Sequence, residues 1–250
     1  MEKNKSPKLR TVNKSVSAFP LNEFPKDFPF LLGKELIYLL ASKGKPELEG
    51  SEWENIFANC VGAKWSPSNV GLDDIIMGNT AWGAKTVKSA NPSTQKQVRL
   101  ISGRNSIVYS FGSKIDTSVD PNKPGKQVLD IWNERVSAIR EKFKHLRTVV
   151  LVKSNDLSEV VVFEFETIRY DHELYKWEWN KNKNLIGIDK RTKEHRFTWQ
   201  PHGSQFTIIE DVPIKSLVIR IKQPKILDKE QVLKTLGFDK SWITVIHKNG

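Results

Sequence analysis

The sequence predicts an α+β fold of the mixed α/β kind, a central mixed sheet flanked by helices. Stretches with helical spacing of apolar residues are interspersed with short alternating runs, and no strand–helix unit repeats. Val149 to Lys153 is a continuous apolar run of the kind found in a sheet's central strand. With 250 residues, 38% of them hydrophobic, the chain can bury a sizeable core.

Residues 1–27 are polar, basic and broken by Pro7, Pro20 and Pro25, and they read as an N-terminal arm. Phe19, Phe24 and Phe28 predict that its end docks on the body. Residues 28–250 then form a single domain. Phe30 to Ala41 reads as a helix stopped by Gly44-Lys45-Pro46. The next helix opens at Ser51-Glu52-Trp53-Glu54. Trp53, Ile56, Phe57, Cys60 and Val61 fall on one face of it, and Gly62 ends it.

Strands at 72–77 and 81–88 are joined by Gly78-Asn79. Strands at 98–101 and 106–111 are expected around Gly103-Arg104-Asn105. Lys126 to Leu146 reads as the longest helix, with Val128, Ile131, Trp132, Val136, Ile139 and Phe143 on one face. Further strands are expected at 149–153, 159–168, 174–179, 185–188, 196–200, 206–209 and 216–222. Asp228 caps a short helix that runs to Leu236.

The formal net charge is +11, and an excess of Lys and Arg favours phosphate partners. The single cysteine, Cys60, excludes an internal disulfide and a cysteine zinc cluster. The five histidines show no metal-ligand spacing. No run approaches the ~20 apolar residues of a membrane span, and the N-terminus has no apolar core of a secretion signal. A cytoplasmic location is expected, without membrane contact and without a small-molecule cofactor.

The most informative stretch runs from Gly71 to Lys88. A hairpin about Gly78-Asn79 brings Asp74 near Lys85 on the adjacent strand. Alternation puts Asp74 and Ile76 on one face, and Gly83 and Lys85 on one face. Phosphodiester hydrolysis needs charge neutralisation at the phosphate, an activated water and a stabilised leaving oxygen. Oxygen ligands suit Mg²⁺, so Asp74 is the principal candidate ligand and the Ala84 carbonyl a second. Lys85 is placed to orient a water and to stabilise developing negative charge. Gly83 stands where a second carboxylate would be expected.

Asp74, eight intervening residues and then Gly83-Ala84-Lys85 resembles the core of the PD-(D/E)XK nucleases, restriction endonucleases in particular. The similar order of elements covers about 51–153, with additional C-terminal strands beyond. The chain departs from the pattern in Asp73, where the family often has proline, and in Gly83, where it usually has Asp or Glu. The resemblance implies a Mg²⁺-dependent, sequence-specific endonuclease of double-stranded DNA, acting as a homodimer. Family variants draw the missing carboxylate from elsewhere, often the preceding helix, which makes Glu54 the candidate and Glu52 the second choice. Ser51-x-x-Glu54 also reads as a capping box, in which Glu54 turns back to the Ser51 N–H.

Arg104 and Asn105 suit guanine and adenine edges, and Lys88 is a further nucleic-acid contact candidate. Lys96, Arg99, Lys114, Lys123 and Lys126 offer phosphate contacts. Residues 154–222 carry the expected recognition strands and loops. Among them Gln200, His202, Ser204 and Gln205 lie in a polar turn, the kind of loop that the resemblance implies carries specificity. The basic run Lys181 to Arg196, flanked by Trp177, Trp179 and Trp199, reads as a nucleic-acid surface or as core. Asp156, Glu164 and Glu166 form a rival acidic group, read as an exposed strand face. The alternatives are a DNA- or RNA-binding protein without catalysis, favoured by Gly83, and a repair or phage nuclease on the same core.

Overall fold

The computed structural model describes residues 16–68, 70–112, 116 and 118–247. In chain order the main elements are α1 (Phe28–Lys43), α2 (Gly50–Val61), β1 (Lys64–Trp65), β2 (Ile75–Met77), β3 (Thr80–Lys88), β4 (Gln97–Arg104), α3 (Ile107–Phe111) and α4 (Asn122–Arg140). They continue as β5 (His145–Lys153), β6 (Glu159–Glu166), β7 (Tyr175–Trp179), β8 (Leu185–Asp189), β9 (His195–Gln200), β10 (Gln205–Asp211), β11 (Leu217–Arg220) and α5 (Lys229–Thr235). The class is α+β, as the mixed pattern predicts. The strands form two sheets, and one of them is the expected mixed sheet.

The first sheet has the order β1-β2-β3-β5-β6-β11, and it is mixed because β3 and β5 run parallel. The apolar run of β5 lies between β3 and β6 and is buried from Leu146 to Lys153. A parallel pair needs a crossover, and α4 lies within the connection between β3 and β5. The second sheet, β4-β10-β9-β8-β7, is a set of antiparallel neighbours.

The alternation of β3 and β5 divides the core. Trp82, Ala84, Val149 and Leu151 pack under α1 and α2 with Phe28, Leu32, Trp53 and Phe57. On the opposite face, Ala81 and Leu146 meet Val128, Trp132 and Val136 of α4, together with Trp177, Phe197 and Trp199 of the second sheet. Val150 and Val152 meet Val98 and Leu100 of β4. Each fully buried Leu, Val or Phe contributes about 1.5–3 kcal/mol, so the three clusters hold the layers together.

Three expectations are corrected. Residues 106–111 are not a strand, because the Ser106 hydroxyl accepts from the Tyr109 N–H at 3.2 Å and starts α3. The long helix runs four residues earlier and ends at Arg140, since the chain must turn to enter β5 at His145. Glu164 is not on an exposed face. Its side chain is fully buried and accepts from Arg147 at 3.0 Å and from Trp82 Nε1 at 2.8 Å. Asp156 is a turn residue bound by Ser154 and Ser158.

The expected arm spans the described residues 16–27 and the undescribed 1–15, and its described part docks as expected. Phe19 stacks on Trp82 at 5.7 Å, and Phe24 stacks on Phe28 at 4.6 Å. The Asn22 amide pairs with the Glu164 backbone in both directions, at 2.8 and 2.7 Å. Its pairing extends the ladder of β6 beyond β11, whose contact stops at Val162.

Burial pushes the Glu164 carboxyl above the usual range, and Arg147 pulls it back. Removing the guanidinium leaves a buried carboxyl without its countercharge. Arg147→Ala is therefore expected to cost about 3–5 kcal/mol, measured by urea denaturation at neutral pH. Arg147→Ala with wild-type stability would contradict this role.

Candidate metal and nucleic-acid site

The turn fixes the register of the candidate residues. Met77 pairs with Thr80, Ile76 with Ala81 and Ile75 with Trp82. β2 begins at Ile75, whereas β3 continues to Lys88. The second half of β3 thus has β5 on one side and no strand on the other. Extended by one step, the register sets Asp74 opposite Gly83, on a diagonal from Lys85. In such a ladder the polar main-chain groups alternate sides. Those of Thr80 and Trp82 face β2, so those of Ala84 face the open side.

Gly83 has a packing reason. A Cβ at this position would lie 2.9 Å from the Gly71 carbonyl oxygen and 3.2 Å from the Leu72 Cα. The backbone before Asp74 therefore crosses β3 where an Asp or Glu at 83 would stand. Local hydrogen bonds shape that crossing. The Ser66 N–H donates to the Asp74 carbonyl at 2.7 Å, and the Ser68 N–H donates to Asp74 Oδ1 at 2.9 Å. The Ser68 hydroxyl donates to Asp73 Oδ1 at 2.6 Å, which gives Asp73 a structural partner.

Glu54 is free of the helix cap. The cap lies two residues earlier than Ser51, with the Glu49 N–H donating to Glu52 Oε2 at 2.8 Å. Glu52 also pairs with Lys43, so the second-choice carboxylate is engaged elsewhere. Glu54 instead accepts from Trp65 Nε1 at 3.2 Å, at the β1 end of the sheet.

Electrostatics joins the three side chains. Burial is the main cause that raises the Glu54 carboxyl above its ordinary range; the Trp65 bond and Lys85 oppose it and the Asp74 charge adds to it. Burial likewise pushes the Lys85 ammonium below its ordinary range. Asp74 and Glu54 pull it back, and Arg135 pushes it further down. No hydrogen bond or ion pair holds the Lys85 amine among the described residues. Among the described residues no group of three or more His, Cys, Asp or Glu could hold a metal. The available donors are therefore two carboxylates and the Ala84 carbonyl, an all-oxygen set of the type Mg²⁺ accepts when water completes its shell.

The second sheet gathers several candidate base contacts. Gln205 pairs with Arg104 on β4 and with Gln200 on β9, so these three stand side by side. His202 is exposed in the adjoining turn, and the Ser204 carbonyl accepts from the Asn105 N–H at 2.8 Å. Asn105 itself is corrected. It is fully buried, its amide donates to the Val128 carbonyl at 2.9 Å, and it cannot reach a base edge. Lys88 lies apart, exposed at the far end of β3 and paired in register with Lys153.

Of the other cations, Lys126 is tied to Asp130 at 2.7 Å and Arg99 donates to Thr198 at 2.9 Å. Lys114 falls outside the described residues. Trp177 and Trp199 are core, 2% and 0% exposed, so they offer no stacking platform. Arg196 is held by Glu210 at 2.6 Å.

The sequence reading missed Arg135, Trp65 and Ser68. Trp65 and Ser68 lie just before the Asp-Asp pair, where a polar, proline-containing run was the available signal. Arg135 carried no signal, because a cation on a long helix reads as solvated surface.

Lys85 supplies a stability test. Its folded-state value lies below its unfolded one, so the unfolded chain binds the proton more tightly. Its charge therefore opposes folding at neutral pH, and that cost falls as pH rises through the folded value. Lys85→Met is expected to raise the thermal midpoint at pH 7, with a smaller gain at pH 10. A lowered midpoint at pH 7 would show that the amine stabilises the fold.

Comparison with known proteins finds no matching family model, no matching curated protein and no matching solved structure.

Proposed function

We propose that this chain is a Mg²⁺-dependent endonuclease that hydrolyses phosphodiester bonds of double-stranded DNA in a sequence-specific manner, in the way of PD-(D/E)XK enzymes. The observation that carries this reading is the convergence of Glu54, Asp74 and Lys85 at the open side of β3. There a half-buried amine without a direct partner among the described residues lies in the field of two carboxylates. The order α2, β2–β3 hairpin, α4 and parallel β5 supports the same reading.

In this reading Asp74, Glu54 and the Ala84 carbonyl hold the cation. When bound, Mg²⁺ neutralises charge on the scissile phosphate. Lys85 donates a hydrogen bond to a phosphate oxygen or to the attacking water, and its cost of burial is recovered when the anion arrives. The Ser68 N–H holds one Asp74 oxygen and leaves the other for the cation. The Arg104, Gln200 and Gln205 row, with His202 beside it, reads base edges. A pair of copies supplies one site for each strand. The cytoplasm is the expected compartment.

Plasmid DNA incubated with the purified chain and Mg²⁺ tests this directly. Discrete fragments that vanish with EDTA are expected. Asp74→Ala and Lys85→Ala should each lower cleavage about 10²–10³-fold while DNA binding survives. Gly83→Glu, which restores the usual carboxylate type, should not raise activity, because its Cβ meets Gly71. Full cleavage by the Asp74 or Lys85 variant would remove those residues from the site. A gel shift without any cleavage would favour the binding protein without catalysis.

A further inference from the structure

Arg135 of α4 is a half-buried guanidinium that pairs with no carboxylate among the described residues. Its bonds go to backbone and amide oxygens of two separate segments. Nη2 donates to the Val70 carbonyl, on the segment that leads into Asp74. Nη1 donates to the Ser102 carbonyl at 2.7 Å and contacts Asn105 Oδ1 at 3.4 Å, at the end of β4 beside Arg104. The guanidinium lies over the Trp132 ring at 5.6 Å, which fixes its plane from the α4 side.

Gly103 makes the room for this arrangement. A Cβ there would lie 2.5 Å from Arg135 Nη1, and the residue has φ +111°. Gly83 does the same for the Gly71 carbonyl on β3. Two glycines on two different sheets thus let one arginine and one backbone segment close over the candidate site. The planar fork of arginine spans both carbonyls, which the single ammonium of a lysine does not.

We propose that Arg135 is a positioning residue that locks the Asp74 segment to the base-reading end of β4, so that the metal ligand and the recognition row move as one unit. The metal part of this inference rests on the nuclease reading above, whereas the locking does not. Residues that orient a metal ligand typically change metal affinity about 10–100-fold when removed. The Ser66, Ser68 and Gly71 amides are natural reporters, since each donates within the Asp74 segment.

The test compares wild type, Arg135→Lys, Arg135→Ala and Gly103→Ala, without DNA. Amide hydrogen exchange of metal-free protein reads the lock. Exchange in peptides covering 66–74 should rise about tenfold or more in the three variants, while β5 stays protected. Calorimetric Mg²⁺ titration reads the consequence, with affinity lowered about tenfold or more in Arg135→Lys, which keeps the charge. If Arg135→Ala fails to fold, Arg135→Lys and Gly103→Ala carry the comparison. Unchanged exchange at 66–74 in Arg135→Lys and Gly103→Ala overturns the lock. Wild-type Mg²⁺ affinity in Arg135→Lys overturns the coupling to the metal site. A wild-type chain that binds no Mg²⁺ overturns the metal reading instead, and the exchange data still decide the lock.

Discussion

The contact between the Gly71 backbone and β3 at Gly83 is the constraint on which the candidate site depends. β2 is three residues long, so β3 has no strand neighbour past Trp82 on that side. A side chain at 83 would keep the Gly71 segment away. With glycine there, the segment lies directly on β3 and delivers Asp74 opposite the strand that carries Lys85. The glycine that looks like a lost carboxylate is thus the residue that admits the segment. Its chemical cost is one ligand, and Glu54 on α2 is the carboxylate close enough to act on both Asp74 and Lys85 electrostatically.

The buried and half-buried charges fall into two kinds. Glu164 and Arg147 are buried together, with the Asn22 N–H sharing Glu164 Oε1 and Trp82 Nε1 donating to Oε2. Arg196 and Glu210 form a second, partly exposed pair beside Tyr170. Each of these carboxylates is held by a cationic partner within the protein. Lys85 is different, since it has no direct carboxylate partner among the described residues, whereas Arg135 spends its donors on backbone and amide oxygens. Burying unpaired cations costs stability, and such a cost concentrates where an anion is to be bound.

Much of the fold was legible because its signals are local. Gly78-Asn79 marked the hairpin and with it the approach of Asp74 to Lys85, and the register then set Asp74 across from 83. The stripe of α2 and the apolar run of β5 read correctly for the same reason. The misreadings came from competition that spacing does not reveal. Residues 106–111 carry a strand-like run, but the Ser106 cap turned them into a helix. Asn105 has the right chemistry for adenine, but the Val128 carbonyl and Arg135 claimed its side-chain amide. The choice between two roles for Glu54 turned on where α2 begins, and Glu49 with Glu52 took the cap. Arg135 acts through carbonyls from distant segments, which leaves no trace in any one stretch of sequence.

We propose that Glu54 and Asp74 hold one divalent cation beside Lys85. Anomalous diffraction from crystals soaked in Mn²⁺, a scatterer that takes the same oxygen ligands as Mg²⁺, measures this most directly. One peak per chain is expected at coordination distance from an Asp74 oxygen, a Glu54 oxygen and the Ala84 carbonyl. A peak that excludes Glu54, or none at the open side of β3, would contradict the account.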